Sequence, residues 1–300
     1  MGPNPVLKKL GFSDDERVVI IHTDDIGMCQ ASVIAFADLW AFGLISSGAV
    51  MVPCPWFLEA ARFGRENPEV DLGVHVTLTS EWTTYRWGPI STRNPASGML
   101  DQQGFFYPSS VEAQAHGDPD AVRLEIETQI EKALANGMGV THVDTHMGTV
   151  ASLKFLPSYL ELALKYGLPP MVMRLDREGW LRMGFDESMA EMAALVVTQL
   201  EADGVPLLDR ISGLELDQAK TRDERIAYAK EVFDEIGPGI THFIIHPSVD
   251  TPELRAITPD WPCRVADYEA FKSEELRDYL QESGIKIIGY RAIQDLIRVP

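Results

Sequence analysis

The sequence predicts an α/β protein whose parallel strands close into a (β/α) barrel. Short apolar, β-branched runs alternate with helical windows along the chain, which is the pattern of a parallel sheet covered by helices. About seven such units occur, and no change of composition marks a second domain. The 300 residues therefore predict one barrel domain over 1–300. A doubly wound open sheet is the alternative, because a strand count does not establish closure.

The predicted elements follow one another in order along the chain. Runs rich in Val, Ile and other apolar residues predict strands at 18–21, 49–52, 72–78, 140–143, 171–173, 242–245 and 285–288. Windows with helical periodicity predict helices at 29–43, 55–66, 119–136, 152–166, 186–203, 217–236 and 266–283.

The segment at about 80–110 interrupts this alternation. It is rich in Gly, Pro and aromatic residues and shows little periodicity. A loop of that length in a compact domain is usually a lid or a binding loop, so we predict such an insertion here, with a surface insertion as the alternative. Its aromatic residues favour a platform on which a sugar ring could stack; they are Trp82, Tyr85, Trp87, Phe105, Phe106 and Tyr107.

Composition excludes several classes of function. The chain has 26 basic and 45 acidic residues, a formal net charge of −19, so we expect neither a nucleic-acid nor a membrane partner. The three cysteines, Cys29, Cys54 and Cys263, form no Cys-x-x-Cys pair, which indicates a reducing compartment. No apolar signal segment opens the chain. We therefore expect a cytoplasmic protein.

Ionisable residues cluster where the apolar runs end. These residues are Asp24 and Asp25, His75, the set His142, Asp144 and His146, the pair His242 and His246, and Arg291. In parallel α/β folds the functional site forms at the carboxyl ends of several strands. We therefore expect these groups to converge on one mouth of the barrel.

Spacing sharpens this expectation for the fourth strand. His142, Asp144 and His146 alternate, so in a strand they share one face. Three ionisable groups on a buried face are costly without partners, which favours a polar site there. The adjacent carboxylates of Asp24 and Asp25 repel unless a cation or a proton lies between them. One Asp with two imidazoles from separate strands would make a three-ligand metal site with positions open for water.

Each of these residues also has a structural interpretation. Asp24 and Asp25 could cap the helix that begins near Met28. His75, alone in an apolar strand, could be a core histidine. We expect His22 and His242 to support the site or the core rather than to act directly.

Five ordered motifs resemble those of the YdjC-like carbohydrate deacetylases, a family that includes chitooligosaccharide deacetylases. They read IIHTDDIGM, DLGVHVTLT, THVDTHMG, FIIHPS and IIGYRAI, and lie within residues 20–293. The resemblance implies an irregular (β/α) barrel of about seven parallel strands, like that of polysaccharide deacetylases. Two positions depart from the family pattern: His22-Thr23 stands where Asn-Ala is usual, and Gly148 where another His is usual.

The resemblance also implies a metal centre and a catalytic pair. Asp25, His75 and His146 would hold one divalent ion, which could be Zn, Mg, Mn, Co or Ni. Asp24 would be the general base and His246 the general acid.

Other residues are expected to contact substrate. The resemblance implies that Arg174 and Arg291 line the site. We also assign His142, Asp144 and Trp82 to substrate binding.

The function implied is metal-dependent hydrolysis of N-acetyl groups on small amino sugars or chitooligosaccharides, with release of acetate. The alternatives are a metal-dependent hydrolase of another amide or ester, and a non-catalytic sugar-binding barrel. The partner is a small acetylated sugar, and the resemblance also suggests a homodimer.

Overall fold

The structure is a computed structural model and describes residues 1–297. Within that range seven strands form one parallel sheet. They are β1 (Arg17–Ile26), β2 (Ser47–Val50), β3 (Leu72–Val76), β4 (Val140–Thr145), β5 (Arg210–Gly213), β6 (Gly239–Ile245) and β7 (Lys286–Ile287). The strand order is β4-β3-β2-β1-β6-β5, and the short β7 pairs with the start of β1 at Val18 and Val19.

An irregular segment between β4 and β5 closes this sheet into a barrel. On one side, Val143 in β4 accepts a hydrogen bond from the Met171 amide at 3.1 Å and donates one to Pro169 at 3.1 Å. On the other side, the Leu208 amide donates to Val172 at 3.0 Å, just before β5 begins. The predicted α/β barrel is therefore confirmed, and its closing member is irregular because Pro169 and Pro170 have no N–H to donate to a ladder.

The predicted set of strands differs from the observed set in two places. The run 171–173 forms only isolated bridges, Pro170 with Val143 and Met173 with Leu208, rather than a regular strand. The strand β5 was not predicted, because Arg210–Gly213 is partly exposed and carries no apolar run that would reveal it.

Helices cover the barrel, and each of the seven predicted helical windows contains one. The described residues hold thirteen α-helices: α1 (Pro5–Lys9), α2 (Gln30–Phe42), α3 (Phe57–Glu66), α4 (Ser110–His116), α5 (Pro119–Ala135), α6 (Leu156–Lys165), α7 (Arg177–Arg182), α8 (Glu187–Ala202), α9 (Arg222–Asp234), α10 (Pro252–Ile257), α11 (Trp261–Phe271), α12 (Glu274–Glu282) and α13 (Tyr290–Ile297). The last window splits into α11 and α12, since Ser273 caps a new helix by accepting from the Leu276 amide. No helix in residues 1–297 combines the length and apolarity that a membrane crossing requires.

The inward-facing side chains of β1 change character along the barrel axis. Val18 and Ile20 pack in an apolar cluster with Val6 of α1 and Ile293 of α13. The next inward residues of the same strand are His22 and Asp24, since side chains alternate faces along a strand. The barrel is thus filled with hydrocarbon near the amino ends of its strands and with ionisable groups near their carboxyl ends.

The long segment after β3 is a folded loop with its own hydrogen bonds. The Ser80 amide donates to the Tyr107 carbonyl at 2.9 Å, which brings the two ends of the loop together. The Trp87 indole donates to the Thr79 carbonyl at 2.7 Å, and both Trp87 and Phe106 are buried. The aromatic residues of this loop therefore divide between its own core and its surface.

Candidate active site and metal centre

Asp24 and Asp25 reach the same site because the end of β1 is distorted. Asp25 has a φ of 60°, a left-handed value that non-glycine residues rarely adopt. The pairing of β1 with β2 shifts register between Thr23 and Ile26, which marks the same irregularity. Neighbouring side chains of a regular strand point to opposite faces, so this distortion is what lets two adjacent carboxylates converge.

Three atoms that could serve as metal ligands lie close together above this point. Oδ1 of Asp25 lies 3.1 Å from Nδ1 of His146 and 3.5 Å from Nε2 of His75. The two ring nitrogens are 3.3 Å apart, and all three residues are buried. Oδ1 of Asp25 makes no hydrogen bond of acceptable geometry to any described residue, although it is fully buried. A buried carboxylate oxygen without a hydrogen bond, facing two imidazole nitrogens, fits a divalent cation.

Arg264 of α11 orients Asp25. Its Nη1 donates to Oδ2 of Asp25 at 2.7 Å, and its Nε donates to Asp260 at 2.7 Å. Burial alone would raise the pKa of Asp25, but the charges of Arg264 and His146 outweigh it and hold that pKa well below its usual value. Sequence reasoning missed Arg264, because it lies within a helix and no strand-end pattern points to it.

Each of the two histidines turns its other nitrogen towards a carboxylate. Nδ1 of His75 is 2.8 Å from Oδ1 of Asp144, so Nε2 is the nitrogen left to face Asp25. Nε2 of His146 lies 3.2 Å from Oε2 of Glu81, so Nδ1 is the nitrogen that faces Asp25. Burial would lower the pKa of His146, but Glu81 and Asp25 raise it to about 9. Glu81 was also missed, since it begins an aperiodic loop.

Asp24 lies beside this group and next to the proposed acid. Its Oδ2 is 3.7 Å from Nε2 of His75 and 3.9 Å from Nε2 of His246. Its Oδ1 pairs with Nδ1 of His22 at 2.7 Å. Burial would raise the pKa of Asp24, but the charge of His75 and the hydrogen bond from His22 keep it below its usual value. The Asp24 carboxylate is therefore ionised at neutral pH.

His246 is held through its backbone. Its amide donates to Oδ2 of Asp267 at 2.9 Å, and Oδ1 of Asp267 accepts from Nε of Arg225 at 2.6 Å. Burial lowers the pKa of the His246 imidazole, which is therefore neutral at rest. Its Nε2 faces Asp24, and its Nδ1 has no hydrogen-bond partner among residues 1–297.

A second layer of polar residues lies below Asp24. Nε2 of His22 is 2.8 Å from Nε2 of His142, whose ring stacks on Tyr290 with centroids 3.9 Å apart. Nδ1 of His242 bonds the Tyr290 hydroxyl at 2.8 Å. His22, Asp24, Asp144 and His242 bring possible ligand atoms within 4.8 Å of one another. His22 and His242 thus lie beneath Asp24 and away from the mouth.

This layer corrects two of the expected substrate contacts. His142 is 0% exposed and lies beneath His22, so its side chain is not accessible from the mouth. Asp144 is 1% exposed and bonds His75 instead. The alternating pattern does place both side chains on one face of the strand. They lie below the mouth, however, where they contact other site residues rather than the surface.

Arg174 and Arg291 lie at the opposite end of the barrel. Arg174 donates to the Gly2 carbonyl at 2.7 Å and lines a cavity with Gly239, the first residue of β6. Arg291 donates to the Val70 carbonyl at 2.9 Å, just before β3 begins. The expectation that they line the site is therefore wrong about their position. For Arg291 the reason is that β7 pairs only with the start of β1 and never reaches the mouth.

Trp82 does lie beside the cluster. Its ring is 5.8 Å from the guanidinium carbon of Arg264, and 5.4 Å from the ring of Trp87. Trp87 in turn lies 6.5 Å from His146. The structure thus brings together Asp24, Asp25, His75, His146, His246 and Trp82.

Comparisons with known proteins indicate the family to which the chain is similar. The model of the family described as YdjC-like protein matches residues 18–282. A protein of Thermus thermophilus named carbohydrate deacetylase is 33% identical over 298 residues, covering 97% of this chain and 99% of the relative. A carbohydrate deacetylase of Thermoanaerobacter pseudethanolicus is 22% identical over 278 residues, covering 93% and 100%.

One solved structure shares the fold over nearly its whole length. It is an Enterococcus faecalis protein provisionally described as a cellobiose-phosphate cleavage protein. The match has a TM-score of 0.73 at 23% identity and covers 93% of this chain and 99% of that one.

Proposed function

The chain belongs to the YdjC-like family, and on that premise we propose that it is a metal-dependent deacetylase of small amino sugars or chitooligosaccharides. The curated relatives named carbohydrate deacetylase support the reaction class. The observation that carries the proposal is the fully buried Oδ1 of Asp25, which makes no hydrogen bond to any of residues 1–297 and faces one nitrogen of each of two histidines.

The metal would be held by Asp25, His75 and His146. One carboxylate and two imidazoles suit Zn, Co, Ni or Mn, and Mg where water fills the other positions. When bound there, a divalent ion supplies Lewis-acid polarisation of an acetyl carbonyl and lowers the pKa of a water molecule. Arg264 would keep Asp25 in place by its contact to Oδ2, which leaves Oδ1 free.

Asp24 would act as the general base. Its carboxylate is ionised, and it lies next to the ligand group without being part of it. In the reaction it takes a proton from the attacking water while a C–O bond forms at the acetyl carbon. The hydrogen bond from His22 fixes the other carboxylate oxygen, so Oδ2 is the one directed to the water.

His246 would deliver a proton to the departing amine. Because its imidazole is neutral at rest, the proton must reach it during the reaction. Oδ2 of Asp24, 3.9 Å from Nε2, is the group placed to supply it. Protonation of the nitrogen allows the C–N bond to break, and the products are acetate and a free amino sugar. Trp82 would stack on the sugar ring at the rim.

The test is acetate release from N-acetylglucosamine, diacetylchitobiose and longer oligomers, by protein loaded with metal and by protein treated with chelator. We expect release that chelator abolishes and added metal restores. Simple acetyl esters and non-sugar amides are assayed in the same way, to test the alternative that the protein hydrolyses another ester or amide. Release from these compounds but from no acetylated sugar would refute the carbohydrate assignment.

A further inference from the structure

Glu81 contacts the proposed metal centre from the long loop. Its carboxylate oxygens lie 3.2 and 3.3 Å from Nε2 of His146, and its side chain is 20% exposed. This contact is on the far side of the ring from Asp25, which lies 3.1 Å from Nδ1. Glu81 is therefore a partner of the ligand His146.

The same arrangement occurs at the other histidine with the nitrogens exchanged. Asp144 bonds Nδ1 of His75 and leaves Nε2 for Asp25, whereas Glu81 bonds Nε2 of His146 and leaves Nδ1. A carboxylate on the remote nitrogen fixes the tautomer and the ring orientation of a metal-binding histidine and raises its basicity. The two carboxylates differ in their supports, because Asp144 lies within β4 and Glu81 within a loop.

That loop meets the centre at adjacent residues. Glu81 contacts His146, and Trp82 lies over Arg264, which in turn holds Asp25. Immediately before them, Ser80 pairs with Tyr107 and so ties the start of the loop to its end. The position of the loop and the orientation of two ligands are thus joined through neighbouring side chains.

We propose that Glu81 is a positioning residue that presents Nδ1 of His146 to the metal and couples ordering of the loop 80–107 to metal binding. The inference rests on the proposed function, since it takes Asp25, His75 and His146 as the ligands. Coupling is reciprocal: if the loop strengthens metal binding through Glu81, metal binding stabilises the loop to the same extent.

The experiment measures Zn²⁺ affinity by competition with a chromophoric chelator, using the full chain after removal of metal. Glu81→Gln keeps an oxygen acceptor without the charge, and Glu81→Ala removes both. Glu112→Gln is the matched control, because Glu112 is exposed and its side chain bonds the Ser109 hydroxyl instead. We expect the wild type and the control to bind one Zn²⁺ equally well. Affinity should fall about 10- to 100-fold in the Glu81 variants, with Gln retaining more than Ala.

Hydrogen exchange of the loop gives a second readout that does not depend on activity. Adding Zn²⁺ to the wild type should slow exchange in 80–107, and the slowing should be largely lost in Glu81→Ala. Wild type that binds no divalent metal would refute the proposed metal centre, and the inference with it. Wild type that binds Zn²⁺ while both Glu81 variants bind it equally tightly would overturn the inference alone and leave the proposed function standing.

Discussion

Replacing Asp267 by Asn is expected to lower the free energy of unfolding by about 3 kcal/mol, although the two side chains have nearly the same size. Asp267 on α11 and Arg225 on α9 are both fully buried, with 2.6 Å between Oδ1 and Nε. Oδ2 also accepts from the His246 amide. An amide has one acceptor oxygen, so its NH₂ group would face a second donor and Arg225 would lose its counter-ion.

The size of the expected loss in unfolding free energy depends on the hydrogen bonds that Arg225 retains in the variant. Removing one partner of a buried ion pair costs about 3–5 kcal/mol. Nη1 of Arg225 also donates to the carbonyls of Glu215 and Gln218 at 2.7 and 2.9 Å, and these contacts survive, so the lower end applies. With an entropy of unfolding of about 2.1 cal/mol/K per residue, a loss of about 3 kcal/mol in this chain of 300 residues should lower Tm by about 5 °C.

Urea and thermal unfolding of the metal-free protein measure this change. Asp250→Asn is the control, because it breaks an ion pair with Arg255 in which the side chains are 42% and 52% exposed. Exposed pairs contribute little, so that variant should unfold like the wild type. Asp267→Asn unfolding within about 1 kcal/mol of the wild type would show that the buried pair does not need its charge.

Three further results are expected. Asp24→Asn should retain Zn²⁺ binding in the chelator competition while kcat for acetate release falls about 10²- to 10⁴-fold, and unchanged kcat would remove Asp24 from the mechanism. Gly73→Ala should lower the free energy of unfolding by about 1–3 kcal/mol in urea, because the added Cβ would lie 2.5 Å from the His142 ring; wild-type stability would mean that the stack on Tyr290 yields easily. Trp82→Ala should raise KM for the sugar roughly 2- to 12-fold with little change in kcat, since an aromatic contact contributes about 0.5–1.5 kcal/mol, and an unchanged KM would contradict the stacking role.

Local periodicity was enough to predict the barrel and the clustering at one end. The alternation of short strands with helices predicts the fold, and the structure confirms closure as well. Asp24, Asp25, His75 and His246 follow or end apolar runs, so the rule that sites form at carboxyl ends of parallel strands brings them together. That rule uses only the positions of the strand ends, so it can be applied without knowing which residues contact one another.

The remaining errors come from contacts between segments far apart in the chain. Arg264 meets Asp25 across 239 positions, and Glu81 meets His146 across 65, with no periodic signal for either. Arg291 was misplaced because a two-residue strand ends before the mouth. For His142 and Asp144, a shared strand face was predicted, but the depth of each residue along the axis depends on strand stagger, which a single sequence does not specify.

The apolar floor of the barrel has a consequence for proton movement. Val18, Ile20 and Ile240 fill the interior below His22 and His242, and α1 and α13 close it from underneath. Bulk water therefore reaches the Asp24 carboxylate from one direction, through the open end of the barrel where the proposed substrate would enter. A bound substrate would stop that passage, so protons exchanged in one turnover would circulate among Asp24, His246 and the reactants until products depart.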